Sequence, residues 1–198
     1  MTARAGLVAL ILLLSSACTT EGPAETAAEP APQQSGRVAS EAEPTRSDDG
    51  PLAIDGSGTG CSWNPSPVYV YGDDILETSE PIQIESVELV GGQGLEIVSA
   101  WTMPTGDVPF SGSWVEWPLP KDDVGGDNGL QWEQRQRAEY AELDPGRRYN
   151  FLVRLKRLTA PGRQGFDAVR VSYRTSDRSY FMDTEMVMRF RKSRKACP

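Results

Sequence analysis

Residues 168–191 read AVRVSYRTSDRSYFMDTEMVMRFR. Val169, Val171 and Tyr173 alternate with Ala168, Arg170, Ser172 and Arg174. After a short turn, Tyr180, Met182, Thr184, Met186, Met188 and Phe190 alternate with Phe181, Asp183, Glu185, Val187, Arg189 and Arg191. A period of two sends successive side chains to opposite faces of an extended chain, so each run has an apolar face and a largely polar one. The stretch predicts two neighbouring β-strands with arginines on their outward side.

The same period runs upstream. Phe151, Val153 and Leu155 alternate with Leu152, Arg154 and Lys156. Leu95, Ile97, Ser99 and Trp101 follow a Gly91-Gly92-Gln93-Gly94 turn. Ile82, Ile84, Val87 and Leu89 alternate with a slip of one residue near Ser86, which predicts a β-bulge. Pro67–Tyr71 forms a shorter strand, and Leu130–Arg137 a weaker one. About seven strands separated by turn signals predict an all-β chain, an antiparallel β-sandwich of immunoglobulin-like type. Residues 131–143, QWEQRQRAEYAEL, are rich in helix formers and read alternatively as one short helix.

The insertion from Met103 to Gly129 breaks this rhythm. It carries Trp114 and Trp117 beside Pro118 and Pro120, then an acidic turn. The tryptophans read as a lid over an open end of the sandwich, with a recognition surface as the alternative. Asp122, Asp123, Asp127 and Asn128 offer oxygens of the kind calcium takes, but lack the alternating spacing and closing glutamate of an EF-hand loop. The turn is expected to be solvated.

The chain begins MTARAGLVALILLLSSACTT. One basic residue, Arg4, precedes an apolar run from Leu7 to Leu14, short of the roughly 20 residues that span a bilayer. Residues 1–17 are therefore expected to be a signal peptide. Leu14-Ser15-Ser16-Ala17-Cys18 resembles the lipobox of bacterial lipoproteins, departing from it at Ser15, where that family usually has Leu. The resemblance implies lipidation of Cys18, the first residue of the mature chain, and attachment to the outer face of the cell membrane. Ordinary cleavage after Ala17, giving a secreted protein, is the alternative. The chain has three cysteines, Cys18, Cys61 and Cys197. Lipidating Cys18 leaves one pair and no orphan thiol, so a Cys61–Cys197 disulfide is expected outside the cytosol. It would hold the two ends of the folded domain together, with Cα atoms within about 7 Å.

Residues 19–60 hold no aromatic side chain and only Val38, Leu52 and Ile54 among the larger aliphatics, with eight acidic residues against Arg37 and Arg46. Such a composition buries too little apolar surface to offset the entropy of ordering. Residues 18–60 thus read as a lipidated cysteine and an acidic tether, and 61–198 as the sandwich domain.

The absence of histidine removes serine triads, cysteine–histidine pairs and histidine-bound zinc. The glycines of Gly56-Ser57-Gly58-Thr59-Gly60 lack the lysine of a phosphate-binding loop. Asp73 and Asp74 are adjacent carboxylates, expected on opposite faces of a strand. Met182, Met186 and Met188 share a face and could select Cu(I), but with Tyr180 and Phe190 they read as core. No enzyme chemistry, cofactor or metal is expected. Charge is uneven along the chain. Residues 61–146 hold 3 basic and 16 acidic side chains, and residues 147–198 hold 14 basic and 4 acidic. Arg154, Lys156, Arg170, Arg174, Arg189 and Arg191 fall on outward strand positions and are candidates for an anion-binding face. Neutralisation by the acidic half of the domain is the competing reading. The expected function is a membrane-tethered binding or adhesion module. Its partner is an anionic envelope polymer or an envelope protein, not nucleic acid. An accessory subunit of an envelope complex is the alternative, and a secreted enzyme without histidine chemistry the second.

Overall fold

A computed structural model describes residues 50–106, 109–124, 131–158 and 162–197, together with the backbone of 45–46. The signal segment, Cys18, most of the tether, and Asp127 and Asn128 lie outside the described residues. Among the described residues the strands are β1 (Thr45–Arg46), β2 (Leu52–Asp55), β3 (Ser57–Ser62), β4 (Val68–Thr78), β5 (Ile82–Val90), β6 (Leu95–Pro104), β7 (Ser113–Trp114), β8 (Gln136–Arg137), β9 (Glu142–Leu143), β10 (Arg148–Arg157), β11 (Gln164–Phe166), β12 (Ala168–Arg174), β13 (Ser179–Asp183) and β14 (Glu185–Phe190). They form sheets of order β2-β4-β10-β6-β8, with β7 also on β4, then β1-β13-β12-β5-β9, then β11-β14-β3. Pairing is antiparallel except β1 with β13 and β3 with β14.

The all-β antiparallel sandwich expected from the period is the architecture that forms. Phe151, Val153 and Leu155 of β10 meet Val169, Val171 and Tyr173 of β12 in one buried core, with Ile84 and Leu76 among their neighbours. The slip near Ser86 is a bulge. Ser172 pairs with Ser86 but Tyr173 pairs with Ile84, leaving Glu85 extra. A second bulge, which the sequence pattern does not announce, sits on β4. Asp74 pairs with Phe151 and Tyr71 with Val153, so Gly72 and Asp73 together oppose Leu152.

Three elements differ from the sequence reading. Residues 180–190 are two strands, divided at the buried Thr184. Its backbone N–H donates to Val169 O (2.9 Å), and its Oγ1 accepts from Val169 N (3.0 Å). This pins the chain to β12 while β14 leaves for the third sheet. Residues 131–143 are not one helix but a single helical turn at 131–133 followed by β8, a short 3-10 turn (Ala138–Tyr140) and β9. Sheet structure also begins ahead of Cys61, with Leu52 in the core and β3 running parallel to β14. The glycines that make 57–60 resemble a linker are demanded by packing. A Cβ on Gly60 would stand 2.4 Å from Met188 Cε.

Cys61 of β3 is bonded to Cys197, with Cα atoms 5.7 Å apart, as the cysteine count predicts. The methionines of β13 and β14 pack on the core. The insertion folds back as a lid, though over the outer face of the β4–β10–β6 sheet and not over an open end of the sandwich. Phe110, Leu119, Trp114 and Trp117 close a second core over Val70, Met103 and Leu152. Buried Asn150 tethers it, accepting from Phe110 N (2.8 Å) and donating to Gln131 Oε1 (3.1 Å).

The disulfide constrains nearly the whole domain, so we expect thiol reagents to label neither Cys61 nor Cys197 before reduction. Reduction should lower the melting temperature by several degrees, since a loss of about 2 kcal/mol has that effect in a domain of this size. Calorimetry with and without reductant reads both.

Candidate arginine cleft

The six basic residues singled out from the sequence are divided among three sheets. Lys156 stands opposite Glu96 in the β10–β6 register, with Nζ 3.8 Å from its carboxylate. Arg154 lies over the Trp117 ring at 5.3 Å. Arg170 sits between Asp183 and Glu88 in the register of its own sheet, donates to both Asp183 oxygens (2.7 and 2.9 Å) and covers Phe181 at 4.0 Å. Arg174 reaches Glu85 at 3.5 Å and Gln83. Lys156 and Arg170 thus have opposite charges directly across from them, the arrangement that stabilises a sheet surface.

The third sheet departs from this rule. Arg189 pairs with Gly165, and Phe190 with Gln164. Arg191 and Arg163 are the residues that follow this pairing at its open end, a like-charged pair just beyond the last paired position. Both line a cleft with Arg189, Asp167, Gln93 and Gln164. Asp167 engages Arg189, whose other nitrogen donates to Phe166 O and Met188 O. Among the described residues, neither Arg163 nor Arg191 has an ion pair. The Nε of Arg191 is covered and unpartnered, while Arg163 is exposed. The cleft rests on the Gly91–Gly94 turn, joined to β11 by reciprocal bonds between Gln93 and Gly165 (2.9 and 3.1 Å). Gly91 and Gly94 both have φ of +63°, and a Cβ on either would strike Asp167 or Gln164. Arg163 is the cleft residue that the sequence reading missed. No strand alternation marks a three-residue strand, and its partner is known only from the register.

The remaining candidates have structural duties. Asp123 accepts from the Trp114 indole N–H at 2.9 Å, and Asp122 is exposed. Trp114 stacks on Phe110, and Trp117 on Trp101. The bulge at Gly72–Asp73 turns Asp74 inward, where it is 0% exposed. Neither its oxygens nor the neighbouring Tyr71 hydroxyl completes a well-formed hydrogen bond. Burial, reinforced by the nearby Asp73 charge, pushes the Asp74 carboxyl up to about 7. No protein-family model matches the chain, and no curated protein matches it either.

Asp74 gives a pH signature. The unfolded chain ionises this group near its ordinary value of 3.8, while the folded chain keeps it protonated to about 7. Its protonated form therefore favours folding below the lower value, and that contribution is lost as pH rises through the window. The Asp74→Asn variant should gain on the wild type between pH 4 and 7 and level off above, by on the order of 4 kcal/mol for three pKa units. Urea unfolding of both proteins across that range measures it.

Proposed function

We propose that the chain is an exported, lipid-anchored binding module whose arginine cleft holds an anionic polymer of the cell envelope, with no catalytic step. The observation that carries this reading is the like-charged pair Arg163 and Arg191, together in one cleft and without a carboxylate partner. Two guanidiniums lining one cleft repel unless an oxyanion sits between them, and planar guanidinium donors suit phosphate and carboxylate oxygens. The short signal segment, the lipobox-like end at Cys18 and the acidic composition of residues 19–60 support a domain held off a membrane surface.

A soluble phosphate polyanion, long-chain polyphosphate, serves as probe. Arg163→Ala with Arg191→Ala should weaken its retention roughly a hundredfold, about tenfold for each lost charge-assisted contact. The same pair should leave thermal stability unchanged or raised, because a repulsion is removed. Retention by the wild type should fall as salt shortens the screening length to about 8 Å and below. Undiminished retention by the double variant would remove the cleft from consideration. For the anchor, intact mass of the mature protein should show an acylated chain beginning at Cys18, and Cys18→Ala should release the domain from the membrane fraction.

A further inference from the structure

A second cleft lies at the β3 side of the β11-β14-β3 sheet, lined by residues of β3, β14 and the β4–β7 pair. Trp63, Tyr69, Met186 and Met188 line it, with Asp73 and Ser113 among its polar groups. No lysine or arginine lines it. The carboxylate of Asp73 has no ion pair among the described residues, although it is half-buried; the backbone N–H of Gly112 bonds it. Ser113 Oγ accepts from the Tyr69 hydroxyl at 2.8 Å, which fixes that ring in the lining. Trp63 is 47% exposed, and the Arg194 guanidinium already stands over its ring at 5.4 Å, so the indole face is in use as a cation acceptor at the rim.

An anionic group beside aromatic rings and polarizable sulfurs, in a cleft whose lining holds no lysine or arginine, is complementary to a small cation with an apolar body. Ring quadrupoles attract ammonium groups, the carboxylate adds a full charge, and the thioethers take alkyl surface. We propose that this cleft binds an alkylammonium group, with Asp73 as counter-ion and Trp63 and Tyr69 as its aromatic partners. The source is either a primary amine, such as a lysine side chain, or a quaternary ammonium headgroup. The β4 bulge is what makes the site. Gly72 and Asp73 share one register position, so Asp73 turns to the cleft while Asp74 turns to the core. This site is independent of the arginine cleft, and its ligand has the opposite charge.

The test titrates the disulfide-bonded full chain at pH 8 with butylammonium and, separately, choline. The readouts are the Trp63 indole N–H and the methyl signals of Met186 and Met188 by NMR. Saturable shifts confined to these groups are expected, weakened at least fivefold in Asp73→Asn and in Trp63→Ala and unaffected in Arg191→Ala. A melting temperature for Asp73→Asn within a few degrees of wild type certifies its fold, and Ser113→Ala provides a second variant if it does not. Binding of butylammonium alone assigns the site to a primary amine, and of choline alone to a quaternary headgroup. Shifts from neither probe, or equal shifts in wild type and Asp73→Asn, would overturn the proposal.

Discussion

The parallel pairing of Ser57–Ser62 with Glu185–Phe190, closed by the Cys61–Cys197 bond, is the contact on which the two clefts depend. Strand β14 parts from the main sheet at Thr184 and needs a partner for its exposed edge. The glycine-bearing β3 supplies one whose lack of side chains lets Met186 and Met188 lie across it. That approach turns Met188 and Phe190 into the core and leaves Arg189 and Arg191 outward, where β11 completes the arginine cleft. On the other edge, the chain leaving β3 carries Trp63 to the rim of the acidic aromatic cleft. Loosening this one pairing would dismantle both.

Electrostatics elsewhere in the domain are settled locally. The acidic first half and basic second half of the chain meet as cross-strand pairs, Lys156 with Glu96 and Arg170 with Glu88, so part of the charge asymmetry in the sequence is consumed by the fold. Exposed pairs of this kind each contribute well under about 1 kcal/mol, but they remove repulsion and set register. Against that background the Arg163–Arg191 juxtaposition and the sealed Asp74 are unfavourable. Asp74 comes with the bulge that presents Asp73, which links a cost in the core to a feature at the surface.

The lid shows how a tryptophan-rich insertion can be structural. Trp101, Trp117 and Trp132 pack in sequence, with Arg135, Arg137 and Arg154 set over their rings at 4.3 to 5.7 Å. The alternation of cations and indoles covers the outer face of a sheet whose Leu152 and Val70 would otherwise meet water. Aromatic area and cation–π attraction together make that cover, and the Asn150 bonds fix its position.

Much of this was legible in residue order. Alternation along 82–89, 151–156 and 168–174 identified strands and their inward faces because burying one side of a sheet imposes a period of two, and the slip at Ser86 located a bulge for the same reason. Counting cysteines identified the disulfide, since an oxidised domain leaves few thiols unpaired. What lay beyond the sequence were relations between segments that no local period records. Glycines at 58 and 60 read as linker because the need for them comes from methionines some 130 residues away. The six basic positions looked like one face because outwardness is a property of a strand, whereas which sheet a strand joins is settled by backbone pairing. Pairing alone brought Arg163 and Arg191 to one cleft, and the bulge opposite Leu152 alone parted Asp73 from Asp74. Period follows from each strand's own burial. Pairing follows from which distant backbones the core brings together, so only the tertiary structure decided which charges were left without partners.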